Sequence, residues 1–68
     1  MKRQDIVENE LRIKIDNFAD YPDGFSFTVK TELEAYKSAY KYRTLRTVVK
    51  YAPAVEAWLV QIYNNKER

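Results

Sequence analysis

Two alternating runs stand out in the first half of the chain. Leu11, Ile13 and Ile15 alternate with Arg12, Lys14 and Asp16, and Phe25, Phe27 and Val29 alternate with Ser26, Thr28 and Lys30. A period of two puts each set on its own side of an extended backbone, so residues 11–17 and 25–30 are expected to be half-buried strands. Between them, residues 18–24 end in Pro22-Asp23-Gly24. Proline presets φ and glycine admits positive φ, which predicts a turn. The two runs are expected to pair as a hairpin with a loop longer than two residues.

The period changes at Thr31. Over residues 31–43, Leu33, Tyr36 and Tyr40 recur at i, i+3 and i+7 with Ala35 and Ala39 beside them, the spacing of one apolar helical stripe. Thr31 and Glu34 have capping-box spacing. Glu32 and Glu34 suit the positive end of the helix dipole, and Lys37, Lys41 and Arg43 suit its negative end. The stripe is expected to be the face that covers a sheet, with the small alanines allowing close approach.

Residues 44–51 have two readings: continuation of the helix to Tyr51, or a strand. The strand is preferred, because the stripe loses phase and Thr44, Thr47, Val48 and Val49 are β-branched. Leu45, Thr47, Val49 and Tyr51 then face one way, and Arg46, Val48 and Lys50 the other. Residues 52–54 make a turn. Residues 56–63 read as a strand with Trp58, Val60 and Ile62 on one face, or as a helix entered through Pro53; the strand is preferred because it pairs naturally with 45–51. Asp5 is a candidate cap for a short helix carrying Ile6 and Val7 on its inner side, the alternative being a frayed end over 1–10. Residues 64–68 are a polar tail. The expected architecture is one small α+β domain over 1–68: ββαββ, an antiparallel sheet with one helix packed on one face.

Composition then narrows the chemistry. Sixty-eight residues with 46% apolar and 15% aromatic content support one compact core. The chain has no Cys and no His, which excludes a disulfide framework, Cys and His triads and the usual zinc sites. With Gly24 as the sole glycine, no glycine-rich phosphate loop can form. The carboxylate pairs Glu8/Glu10, Asp20/Asp23 and Glu32/Glu34 read better as a solvated face, a turn and a helix start than as acid–base or magnesium sites. The expectation is a protein that is not an enzyme and holds no cofactor or metal. No apolar run approaches the ~18 residues of a membrane span, and Gln4 and Asp5 after Lys2 and Arg3 do not resemble a secretory signal. A cytoplasmic protein is expected, with no membrane partner.

Charge is unevenly placed. Residues 1–29 carry four bases against six acids (−2), and residues 30–52 carry six bases against two acids (+4), with four tyrosines among them. On the expected sheet, Arg12, Lys14, Lys30, Arg46 and Lys50 share the outer face with Tyr63, a candidate surface for a phosphate backbone or an acidic partner. Solvation of an open antiparallel face explains such bases better than either partner does alone. Tyr21, Lys41, Tyr42 and Arg43 form a candidate protein-contact patch, since Tyr and Arg are enriched at interface hot spots. Tyr36 and Tyr40 are expected in the core with their hydroxyls at its rim, and Trp58 as a core anchor. In size and composition, not in any motif, the chain resembles the small single-domain proteins that phages and mobile elements encode, anti-CRISPR proteins among them. That resemblance implies a regulator or inhibitor that docks on another macromolecule. The leading expectation is a non-catalytic protein docking on another protein; the alternatives are nucleic-acid binding through the basic sheet face and a homodimer joined through its sheets.

Overall fold

The computed structural model describes residues 2–64. Among them the chain forms α1 (Arg3–Leu11), β1 (Asp16–Tyr21), β2 (Gly24–Val29), α2 (Glu32–Lys41), β3 (Arg46–Ala52) and β4 (Ala57–Tyr63). The strands make one antiparallel sheet in the order β1-β2-β4-β3. The class is α+β as expected, but the element order is αββαββ. The chain leaves β2 through α2, lays β3 at the far edge and returns with β4 between β2 and β3. Of the 64–68 tail, Asn64 still donates its N–H to the Asp23 carbonyl at 2.7 Å; residues 65–68 lie outside the described residues.

The core lies between the sheet and the helices. Phe25, Phe27 and Val29 of β2 pair across the ladder with Ile62, Val60 and Trp58 of β4. Cross-strand partners share a face, so these six point to the helical side. Phe25, Phe27, Val29, Val60 and Ile62 are buried there together with Val7, Ile15 and Ala35. Trp58 is half-buried at the core's margin, edge-on to Tyr51 with ring centroids 5.3 Å apart. Both ambiguous segments are strands, each within a residue of its expected start. No glycine is needed between α2 and β3. The helix stops at Lys41, Leu45 donates its N–H to the Tyr42 carbonyl at 2.9 Å, and residues 42–45 keep negative φ throughout.

Three expectations fail, each for a physical reason. Residues 11–15 are not a strand; of the expected run only Asp16 and Asn17 are, as the start of β1. Leu11 ends α1, Arg12 takes the left-handed conformation at φ 60° as its C-cap, and Ile13 to Ile15 form a connector that joins no ladder. The Ile15 N–H is instead satisfied by the Glu8 carboxylate at 3.1 Å. Alternation reports an extended chain with one buried side, and here Ile15 alone of the three apolar residues is fully buried. In α1, Asp5 sits in the first turn rather than at the cap, and Val7 is buried while Ile6 is 43% exposed.

β1 takes Phe18 to Tyr21 from the segment assigned to the loop. It carries a bulge between Asp16 and Ala19, with Asn17 at φ 53°. Asn17 donates its side-chain amide to the Thr28 hydroxyl at 2.9 Å, and that hydroxyl donates to the Asp16 carbonyl at 3.3 Å. Tyr21 pairs directly with Gly24, so the hairpin loop is just Pro22-Asp23. Gly24 has negative φ. Its lack of a side chain serves packing instead: a Cβ there would run into the Ile62 carbonyl oxygen and lie 3.0 Å from the Tyr63 Cα.

The third failure is the helix face. Ala35 and Ser38 are fully buried against the sheet, and Ala39 and Tyr42 are half-buried. Leu33, Tyr36 and Tyr40 point outward, 72%, 53% and 67% exposed. Two phenylalanines already fill the middle of the sheet's inner face, which leaves room beneath α2 for small side chains. Ser38 satisfies its hydroxyl on its own helix by donating to the Glu34 carbonyl at 2.8 Å, so its burial leaves nothing unpaired.

Candidate functional site

The outward stripe of α2 forms one wall of a surface groove of about 490 Å³. Leu33, Tyr36 and Tyr40 supply its apolar lining from α2; Leu11 and Ile13 supply the rest from the end of α1 and the connector after it. Lys37, Lys41 and Arg43 bring positive charge, and Glu10 brings the one carboxylate.

Local chemistry holds both walls. The Thr31 hydroxyl accepts the Glu34 N–H at 3.2 Å and starts α2, worth about 1 kcal/mol; the reciprocal half of the expected capping box is not formed. At the other end the Tyr42 hydroxyl donates to the Glu10 carboxylate at 2.8 Å, tying the last turn of α1 to the end of α2. The Tyr42 ring lies edge-on to Phe25, 5.6 Å between centroids. Burial, then the hydrogen bond to Glu10 and that carboxylate's negative charge, push the Tyr42 phenol well above its ordinary value of 10.0. Arg43 folds back over Tyr40: its guanidinium donates to the Tyr40 carbonyl at 3.0 Å and lies 4.2 Å from the centre of the ring. Lys37 and Lys41 form no ion pair among the described residues.

The expected protein-contact patch therefore divides. Lys41 and Arg43 belong to the groove. Tyr42 is half-buried and structural. Tyr21 pairs with Gly24 and so lies on the opposite face of the sheet. The residues the sequence reading missed are Leu33, Tyr36 and Tyr40, placed in the core, together with Lys37. Their signal was present in the competing stripe Ala35, Ser38, Ala39 and Tyr42, which has helical spacing and, in its first three members, side chains small enough to sit on a filled sheet.

The expected basic face also breaks up. Arg12 and Lys14 lie in the connector before β1, and Lys30 lies beyond the end of β2. Arg46, Lys50 and Tyr63 share the outer face, but with half-buried Val48, Leu59 and Gln61 among them. Ser26 and Thr28, in the central strand, are 7% and 4% exposed, flanked on both sides by neighbouring strands. One row across this face runs Tyr21, Gly24, Tyr63, Arg46, with the Arg46 guanidinium 5.6 Å from the centre of the Tyr63 ring.

Among the described residues no three Asp or Glu side chains converge as a metal site, and no helix is long and apolar enough to cross a membrane. No protein-family model, curated protein or solved structure matches the chain.

Proposed function

We propose that this protein is a non-catalytic docking module, a regulator or inhibitor that works by occupying the surface of another protein through the groove between α1 and α2. The observation that carries this reading is the exposure of Leu33, Tyr36 and Tyr40. Three large side chains at one helical spacing are kept in water, next to two half-buried aliphatic residues, while the same helix buries alanine and serine. A contiguous apolar strip rimmed by charge is the signature of an interaction surface, and tyrosine is a preferred anchor there. Many of the small phage and mobile-element proteins that the chain resembles in size and composition act by docking on another macromolecule.

A second reading, nucleic-acid binding on the outer sheet face, is supported by the row Tyr21, Tyr63 and Arg46. It is the weaker of the two, because three of the five expected bases lie off that face and phosphate tracking depends on their sum.

Capture from lysate of the source cells separates the readings. The wild type is compared with Tyr36→Gln/Tyr40→Gln and with Arg46→Glu/Lys50→Glu, each with and without nuclease. Docking predicts a protein partner that survives nuclease and the sheet-face substitutions and is lost with the α2 substitutions. A partner that vanishes with nuclease, or is retained by the α2 variant, overturns it.

A further inference from the structure

The groove's own chemistry specifies what fits it. We infer that its occupant is an amphipathic helix of a different protein, with an apolar stripe flanked by carboxylates. This rests on the reading of the groove as a docking site and adds the class of partner.

Three observations carry it. The first is charge. Lys37, Lys41 and Arg43 face the groove against one carboxylate, Glu10, and Glu10 is already engaged by the Tyr42 hydroxyl. Lys37 and Lys41 form no ion pair among the described residues. A partner bringing carboxylates finds complementary potential, and one bringing bases is repelled. The same argument excludes a second copy as the occupant. A symmetric contact of this face with itself would set three cations against three, with one carboxylate on each side.

The second is backbone chemistry. The longer wall is α2, whose backbone groups are largely spent on its own hydrogen bonds, and the shorter wall, Glu10, Leu11 and Ile13, offers no strand edge. An extended segment laid there would bury N–H and C=O groups without a ladder to join. A helix arrives with its own bonds made, and helix-in-groove recognition reads the i, i+3, i+7 spacing that Leu33, Tyr36 and Tyr40 offer.

The third is size. The ten residues of α2 span about 15 Å, the length of roughly three turns of a partner helix.

The test uses the folded full-length protein and a displayed library of random helix-forming peptides, with Tyr36→Gln/Tyr40→Gln as the counter-selection target. The expected result is enrichment of peptides with apolar residues at i, i+3 or i+4, and i+7, flanked by Asp or Glu. A synthetic peptide from that pool should bind the wild type and lose affinity about ten-fold with Lys37→Glu/Lys41→Glu. It should also bind several-fold more weakly at high salt. Enriched peptides that need Tyr36 and Tyr40 but carry no acidic bias, and ignore the charge reversal, overturn the partner class and leave the docking site standing. Peptides that bind the counter-selection target equally well, or none enriched at all, overturn both. A wild type that sediments as a dimer, and as a monomer with Tyr36→Gln/Tyr40→Gln, makes a second copy the occupant and overturns the inference.

Discussion

Leu33 and Ala35 stand two residues apart on α2 and should respond in opposite ways to substitution. Leu33 is 72% exposed and Ala35 is 0% exposed. Fully burying a leucine is worth about 1.5–3 kcal/mol. With roughly a quarter of its surface out of water, Leu33 contributes about 0.4–0.8 kcal/mol. Glutamine has nearly the same helix propensity as leucine, so Leu33→Gln should cost less than about 1 kcal/mol. Ala35→Leu adds three carbons beneath a helix seated on Phe27, Val60 and Ile62, all within 1% of full burial. Overpacking of this kind costs about 1–3 kcal/mol, and here the helix must lift off the sheet to admit it. In a domain this small each kcal/mol moves the melting temperature by about 4–8 °C. Urea unfolding followed through Trp58, the single tryptophan, gives both changes directly. The hydrophobic ranking of the residues alone predicts the reverse order, with Leu33→Gln the damaging change. A larger loss from Leu33→Gln than from Ala35→Leu would show that α2 is rotated from the orientation described and that the groove does not exist.

Two further outcomes test the supporting structure. Gly24→Ala should lower stability by about 2 kcal/mol or more, since its Cβ meets β4 backbone rather than a side chain that can move; an unchanged urea midpoint would refute the close approach of β2 and β4. Tyr42 makes stability depend on pH at the alkaline end. Its folded phenol holds its proton above the ordinary value of 10.0, so past that pH the unfolded chain releases a proton the folded one keeps, and stability falls as pH rises. Tyr42→Phe should remove that component of the slope as pH rises past 10.0 in urea titrations, and an identical slope in the variant would refute the half-buried, Glu10-bonded phenol.

How far each residue was legible depended on whether its surroundings were local. The sequence by itself determined the class, the turn at Pro22-Asp23 though not the length of its loop, the cap at Thr31, and the inward faces of β2 and β4. Phe25, Phe27, Val29, Val60 and Ile62 announce themselves because apolar residues at a period of two share one face of a strand, although flanking strands bury the polar residues between them on β2 as well. It also determined that Lys41 and Arg43 stand at the end of α2. Tertiary structure decided the rest. It turned Leu11 to Ile15 from a strand into a helix end and a connector, because Glu8, not a neighbouring strand, satisfies the Ile15 N–H. It gave the β1 position to Asp16–Tyr21, whose composition favours loops, because pairing with β2 and a bulge outweighed propensity. And it chose which face of α2 met the sheet. A helix with two plausible stripes is settled by the volume left beneath it, and Phe25 and Phe27 left room for alanine and serine. The tyrosines and Leu33 were turned out to solvent by that one constraint, and the groove they line is its consequence.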